Sequence, residues 1–431
     1  MASETRLALN AGTAVKLSSV IPMVSMVANQ MREAEDVRVE AVIQEKCTSL
    51  HPTVKWRFEE EAQEYMRRSL VDPQASFGDI VFENVYPLFG QLDIRGSSTL
   101  RNEAIAEDLQ KQMHAVLKVL DVALESEKMP VYEELSGRVR RFTREISNGL
   151  LAGSEHNLLS FLHNEIYPVF DHLRTRSDVL AAAVSDYMNM LDTTHQIIYE
   201  RRRDYDDSVR RTNDMLASVL DKHQVRAHAM FPHYFERYKT DGGECNMFIG
   251  DSMVRDRDFH PIYLSNLRLW QLIAMAEMEI EYHHRRQELP VPLEVASLIL
   301  VNSSPLTILF GQDEKRFDVD GAYNARYEII KKRVDKAMIK GTKERVTAPG
   351  KIAIIYTSEQ DVVEYMRFIR FLQDKGLIAS GQPEKLDIDD LPGVTGLKAL
   401  RVSVCYSEEA GTLPPITATE MEALTGVGQA N

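Results

Sequence analysis

Apolar residues recur at helical spacing near the start of the chain, at intervals of four, three and four residues. These positions are Val20, Val24, Val27 and Met31. A similar stripe continues through Val39, Ile43 and Cys47. Pro22 lies inside the pattern and is expected to kink the helix, because proline lacks the backbone N–H. The pattern predicts an N-terminal helical segment over residues 1–49.

A series of amphipathic helical patterns with short connections follows and predicts an all-helical bundle over residues 50–230. Within it, segments 82–95 and 164–176 share a design at an offset of 81 residues. The matched positions are Tyr86 with Tyr167, Pro87 with Pro168, Phe89 with Phe170, Leu92 with Leu173 and Arg95 with Arg176. Because each copy leads into a further helix, we predict an internal duplication of a helical hairpin.

Beyond residue 230, short runs with strand character alternate with helical patterns. Predicted strands are 245–249, 296–302, 306–310, 351–356 and 397–404. The second and third are joined by a short polar loop and are predicted to pair as a hairpin. This order predicts a small mixed α/β domain over residues 231–406, and the composition of residues 407–431 predicts a disordered tail. The fold class is therefore α+β and mostly helical, with a duplicated helical bundle followed by the α/β domain.

The segment 316–345 carries a strong helical pattern and is basic, although the chain has a formal net charge of −14. One predicted face is apolar and should pack on the sheet: Tyr327, Ile330, Val334 and Ala337. Another is a basic stripe: Arg326, Arg333, Lys336 and Lys340. Such a stripe could bind an anionic small molecule or an acidic partner. The alternative is a solvated helix face, paired in part with Glu328 and Asp335.

Composition excludes several classes of protein. The acidic balance argues against nucleic-acid binding, which requires a basic surface. No apolar run is long enough to predict a membrane span, and the N-terminus lacks the pattern of a secretory signal, so a cytoplasmic protein is predicted. The three cysteines are far apart and without CxxC spacing, which indicates neither a disulfide framework nor a zinc site.

No motif identifies a catalytic residue, and neither a cofactor nor a metal site is predicted. The Glu281-x-x-His284 spacing resembles part of a di-iron site, but a second copy of that motif is missing. Nearby candidates in the bundle are His156, His163, Glu165 and His172. The matched Arg95 and Arg176 are expected to cap helix ends or to pair with Asp93 and Asp178, with a duplicated anion site as the alternative. His233 and Asp241 flank a turn at the domain junction and are further candidates.

Several stretches resemble a bacterial family of GAF-domain-containing proteins whose function is uncharacterised. The stretches are 43–52 with 54–58, 85–98, 231–242, and 316–324 with 351–356. The resemblance covers most of residues 15–405. It implies that these regions lie downstream of a GAF sensor domain and that residues 8–31 correspond to the last helix of that domain. It supplies no catalytic residues.

These observations favour a non-enzymatic signalling or regulatory protein whose N-terminal helix docks to a partner or to a second copy of the chain. In this hypothesis the α/β domain is the output domain. The alternative is an enzyme or binding domain for an anionic small molecule held between the bundle and the α/β domain. A metal-binding helical bundle is the second alternative.

Overall fold

A computed structural model describes residues 11–47, 50–149, 153–255, 257–311, 316–319 and 325–406. The fold is α+β. Its helices are α1 Ala11–Lys46, α2 Pro52–Val71, α3 Ser97–Ser126, α4 Pro130–Ser147, α5 Ser154–Phe161, α6 Tyr167–Leu173, α7 Asp178–Asn189, α8 Arg201–Met230, α9 Pro261–Arg285, α10 Ala325–Lys331 and α11 Glu359–Asp374. No helix among the described residues combines the length and apolar character needed to cross a bilayer.

The strands form one mixed sheet. They are β1 Val81–Ile94, β2 Tyr234–Thr240, β3 Gly242–Gly250, β4 Val295–Val301, β5 Leu306–Gly311, β6 Arg316–Val319, β7 Lys351–Tyr356, β8 Glu384–Asp387 and β9 Lys398–Ser403. The main strand order is β2-β3-β1-β4-β7-β9-β8. β5 pairs with the first part of β1, and β6 pairs with β5.

Four antiparallel strands and two helices make the centre of the molecule. α8 leads from β1 towards β2, with β3 lying between those two strands, and α9 leads from β3 to β4 on the other side of β1. This β-α-β-β-α-β order with the strand sequence β2-β3-β1-β4 is the ferredoxin-like arrangement. The helices α3–α7 are inserted between β1 and α8.

The alternation of side chains along the strands gives the sheet two apolar faces. The inner face packs against α8, α9 and α11, through residues that include Leu88, Leu92, Met247, Trp270, Met275, Ile299, Ile354, Phe368 and Leu400. The outer face packs against α2, α10 and the chain that follows α10, through residues that include Phe58, Phe82, Phe89, Phe310, Tyr327, Val334 and Ile355. The inserted helices have a third core of their own, which includes Leu109, Val116, Tyr132, Val139, Phe161, Phe170 and Tyr187.

The predicted duplication is wrong at the level of structure. Tyr86 and Pro87 lie within β1, which is paired on both sides, whereas Tyr167 and Pro168 begin α6. Pro87 falls between the residues of β1 that pair with β5 and those that pair with β4, and Pro168 follows a π-helical turn at Leu162–Ile166. Each proline therefore lies where the regular backbone pairing is interrupted. The prediction that residues 50–230 are all helical therefore fails at β1. The domain boundaries at residues 49, 230 and 406 stay a prediction.

The predicted hairpin of residues 296–302 and 306–310 is also wrong. Both segments are strands, but they pair with β1 rather than with each other. β4 pairs with Leu88–Ile94, and β5 pairs with the start of β1 across an irregularity where Asn84 adopts a φ of 55°. The 14-residue strand β1 thus pairs with β5 along its first part and with β4 along its second part.

The helix predicted within residues 316–345 is much shorter than its sequence pattern. Strand β6 precedes it, the helix itself is α10, and a 3-10 turn covers Val334–Lys336. The apolar face is nevertheless confirmed, because Tyr327, Ile330, Val334 and Ala337 are all buried. Beyond the 3-10 turn the chain is extended, and Met338 bridges to Arg345 and Ile339 to Ile388. The predicted disordered tail lies outside the described residues.

Candidate functional site

Two carboxylates lie on the outer face of the sheet, at the end where β1 meets the hairpin between β2 and β3. Asp93 is paired in register with Gly242, and Gln91 with Glu244. Because paired residues of antiparallel strands project from the same face, Asp93 and Glu244 are diagonal neighbours on that face. The carboxylates therefore belong to adjacent strands and share one surface.

The hairpin approaches β1 very closely because of a glycine. Gly242 has a φ of +127°, and a Cβ atom there would lie 2.1 Å from the carbonyl oxygen of Leu92. The backbone N–H of Ile94 donates to the carbonyl oxygen of Asp241 at 3.0 Å. A side chain at residue 242 would push the strands apart, so this glycine is what allows Asp241 to lie beside Asp93.

The ionised form of the Asp93 carboxyl is less favourable in the folded protein than in water. Burial is the main cause that raises its pKa from 3.8 to about 6. The negative charges of Asp335 and Asp241 act in the same direction. The positive charges of Arg345 and Lys336 act against them. A bound cation at this position would relieve the repulsion.

Glu244 has a related environment. Burial raises the pKa of its carboxyl, and the charges of Glu328 and Asp335 raise it as well, whereas Lys331 lowers it. The charge of Asp335 therefore raises the pKa of both Asp93 and Glu244. The Lys331 ammonium lies 3.8 Å from Glu328 and 5.6 Å from the centre of the Phe89 ring. The chain of residues 325–345 thus brings cations and a further carboxylate over the acidic strand ends.

The predicted basic stripe is divided by the short length of α10. Its four side chains are exposed: Arg326, Arg333, Lys336 and Lys340. Arg326 donates to the carbonyl oxygen of Thr395 at 3.4 Å. Lys336 is close enough to Asp93 to oppose its raised pKa. None of Arg333, Lys336 and Lys340 makes an ion pair with a carboxylate in the described ranges. Anion binding by these residues stays a prediction.

The other predicted candidates lie apart from this face. Arg95 follows β1 and is exposed, with its backbone N–H donating to Glu294 at 2.7 Å. Arg176 pairs with Glu127 at 2.9 Å and not with Asp178. The two arginines therefore occupy unrelated environments. Their role as a duplicated anion site stays a prediction.

The glutamates of the metal-bundle hypothesis are engaged with arginines. Glu281 pairs with Arg285 at 3.1 Å, and Glu165 accepts from two nitrogens of Arg138. Across the described part of the chain, no group of three or more His, Cys, Asp or Glu side chains is arranged to hold a metal ion. A site that used only protein ligands is therefore not found there.

His233 belongs to a separate cluster at the junction of α2, α8 and β2. Its ring centroid is 5.6 Å from that of His228, which is 5.8 Å from that of His51. His233 is buried, and its Nδ1 and Nε2 atoms lie 2.9 Å from the Phe231 carbonyl oxygen and the Gln224 side chain. Burial lowers the pKa of His233 to about 4. These contacts indicate a neutral histidine in a structural role.

The carboxylate face can hold a hard divalent cation together with a ligand that supplies further oxygens. Mg²⁺ is commonly bound by one or two carboxylates plus substrate phosphates, so it does not require three protein ligands. Sequence reasoning considered Asp93 as an ion-pair partner and Asp241 as a junction residue, and it missed Glu244. The signal that could have found the pair is an acidic residue at the end of an alternating strand and another beside the Gly242-Gly243 turn.

Comparisons with known proteins touch only parts of the chain. A family model described as "YeeD uncharacterised protein" matches residues 103–216, which lie in the inserted helices and the first half of α8. No curated protein matches the chain. A solved structure of the guanylyl cyclase Cya2 is similar at 16% sequence identity, with a TM-score of 0.25, over 47% of this chain and 82% of that one.

Proposed function

We propose that the chain binds a divalent metal ion together with a phosphate-bearing small molecule on the outer face of its sheet. The phosphate-bearing ligand is tested as a nucleoside polyphosphate, and Asp93 and Glu244 are the residues that would hold the metal. The observation that carries this proposal is the diagonal placement of the two carboxylates on adjacent strands, and the charge of Asp335 raises the pKa of both. The proposal takes up the hypothesis of a binding domain for an anionic small molecule.

The raised pKa of Asp93 supports the presence of a cation in the working state. Asp335 raises the pKa of both Asp93 and Glu244, and a divalent cation would offset the repulsion that each of them experiences. The sheet holds Asp93 and Glu244 in place through backbone pairing, so little conformational entropy is lost when the metal binds. Mg²⁺ would keep waters and leave room for phosphate oxygens.

The surrounding cations support a phosphate ligand. Lys331, Lys336 and Arg345 lie within electrostatic range of Asp93 or Glu244, and their segment is basic in an acidic chain. Lys336 and Arg345 make no ion pair with a described carboxylate, so their charges are available to an anion. Lysine and arginine are the usual phosphate contacts of proteins.

The test is titration calorimetry of the full chain with ATP and with GTP, each in the presence of MgCl₂ and of EDTA. We expect binding that requires Mg²⁺ for at least one of the two nucleotides. The Asp93→Asn/Glu244→Gln double variant should lose at least tenfold in affinity, about 1.4 kcal/mol, because the metal loses both anchoring charges.

Glu236→Gln is the matched control, because Glu236 lies on β2, on the same face of the sheet, where it accepts a hydrogen bond from Tyr234 at 3.1 Å. It should bind as the unmodified protein does. Nucleotide binding that is equally strong in EDTA, or that survives the double variant unchanged, would contradict the proposal. Release of phosphate or pyrophosphate in the same mixtures would show whether binding leads to a reaction.

A non-enzymatic signalling or regulatory role is the second candidate. The observation that favours it is the exposed apolar surface of α1, which suits a docking element better than a free helix. The GAF-associated form of this hypothesis depends on the sequence resemblance alone. A chain that binds neither nucleotide but self-associates through α1 would favour this second candidate over the first.

A further inference from the structure

The N-terminal part of α1 extends away from the rest of the molecule. Every side chain from residue 20 to residue 38 is exposed, and this stretch is about 27 Å long at the usual helical rise of about 1.5 Å per residue. The helix packs only near its C-terminal end, where Val39, Ile43 and Cys47 are buried against the outer core. A long described portion of the helix thus has no contact that buries it.

The exposed portion carries apolar residues at several positions, and one set of them forms a line along the helix. Ile21, Met23, Met26 and Val37 are also exposed but lie off this line. Val20, Val24 and Val27 have 52%, 60% and 45% of their surface exposed, and Met31 has 70%. With Ala34 they follow the strict spacing of four and three residues. That repeat is the seam of a left-handed coiled coil, which is narrower than the stripe of a helix that packs on a globular surface.

The positions that flank this seam carry no charge over its first half. They are Ile21, Met23, Ala28 and Gln30. In coiled coils, charges at these flanking positions select the partner. Because charged side chains are missing at these flanking positions, the seam does not repel an identical helix. It also lacks the charges that would select a helix of a different protein.

We propose that α1 associates with α1 of a second copy of this chain along the seam formed by Val20, Val24, Val27, Met31 and Ala34. Most of the stability of a helix in a protein comes from the packing of one of its faces, which this portion of α1 lacks, and Pro22 weakens the helix further. Pro22 lies off the seam, so it does not obstruct the contact. Burial of the seam supplies the tertiary contact that the exposed portion otherwise lacks.

The test is sedimentation of the full chain over a wide range of concentration, compared with the Val24→Glu/Val27→Glu variant. We expect the unmodified chain to form a dimer. The variant should raise the dimer dissociation constant at least about 100-fold, because it places like charges against each other in a desolvated contact. Far-UV circular dichroism of the monomeric variant should show an intact folded body with reduced helix content.

The Met26→Glu/Asn29→Glu variant is the matched control, because it adds the same two charges to exposed positions on the opposite side of α1. It should dimerise as the unmodified chain does. A chain that stays monomeric at all concentrations would overturn the proposal. A dimer that the Val24→Glu/Val27→Glu variant leaves unchanged would also overturn it, since the contact would then lie elsewhere.

Discussion

At the scale of single residues, Asp93 is a side chain whose environment opposes its own charge. Its carboxyl is partly buried beside Asp335 and Asp241. A group of this kind either reduces stability or serves a ligand, because the fold offers the charged form less compensation than water does. The two roles can be separated by measuring stability without metal.

We predict that Asp93→Asn stabilises the protein in EDTA, and more so as pH rises. The folded-state pKa of about 6 lies above the ordinary value of 3.8, so the folded chain binds an extra proton between these values. The stability that Asp93 contributes is full below 3.8 and is lost as pH rises through 6. Urea unfolding of both proteins across this window should show a stability difference that grows with pH.

Glu236→Gln removes one carboxylate from the same face of the sheet and is measured alongside as the comparison. Saturating MgCl₂ should shrink the advantage of Asp93→Asn, because the cation then stabilises the ionised carboxyl. The prediction would be wrong if the stability difference between Asp93→Asn and the unmodified protein stayed constant from about pH 4 to about pH 7. The folded protein would then not disfavour the ionised form of Asp93.

At the scale of elements, a carboxylate of one helix caps another. Asp108 of α3 is buried, and its Oδ1 accepts the backbone N–H of Arg201 at 2.9 Å while its Oδ2 accepts that of Arg202 at 3.0 Å. Glu200, the residue at the N-cap position of α8, makes no side-chain cap of its own. Asp108 therefore accepts hydrogen bonds from otherwise unpaired N–H groups at the start of α8. Its negative charge also interacts favourably with the positive end of the α8 dipole.

We predict that Asp108→Ala lowers the free energy of unfolding by about 2–4 kcal/mol, because it leaves buried N–H groups without an acceptor. Urea denaturation measures the change. Glu107→Ala is the matched control, since Glu107 pairs with Arg201 at 2.8 Å but is exposed, and its loss should cost less than about 1 kcal/mol. Equal losses in the two variants would contradict the capping role.

The sequence predicted individual elements better than their pairing. β7 was predicted at its observed limits and β9 to within one residue at each end, because their apolar runs are bounded by clear end signals. The role of β1 was missed, since its Tyr-Pro pair resembled a helix start elsewhere. Its identity as a strand depends on β3, β4 and β5, which are distant in sequence.

The candidate site was predicted only in part for the same reason. The basic segment was recognised from local charge, but its relation to Asp93 and Glu244 depends on the register between β1 and β3. A single sequence does not determine that register. The apolar face through Tyr327 and Val334 was predictable because short helical turns keep the same spacing as a long helix.

At the scale of the whole molecule, an inserted helical unit stands beside a ferredoxin-like core. The helices α3–α7 have their own apolar core, and α8 belongs to the inner face of the sheet. The match to the family model falls on residues 103–216 and hence mainly on the inserted unit. The carboxylates of the proposed site lie on the sheet, outside that match.

This division predicts that the two units lose structure separately. Phe170 is fully buried in the core of the inserted helices, and its ring centroid lies 5.2 Å from that of Tyr187. Phe170→Ala should cost about 3–5 kcal/mol through the cavity it leaves. Hydrogen exchange should then quicken at the amides of α3–α7, while those of β1, β3 and β4 keep their protection, because cooperative opening follows units with their own cores.

Val179→Ala is the control for this experiment, since Val179 lies on α7 with 68% of its surface exposed. It should leave exchange unchanged in both units. Equal loss of protection in the strands and in the helices of Phe170→Ala would mean that the molecule opens as one unit. In that case the cap that Asp108 provides for α8 would couple the two cores strongly enough to transmit the defect.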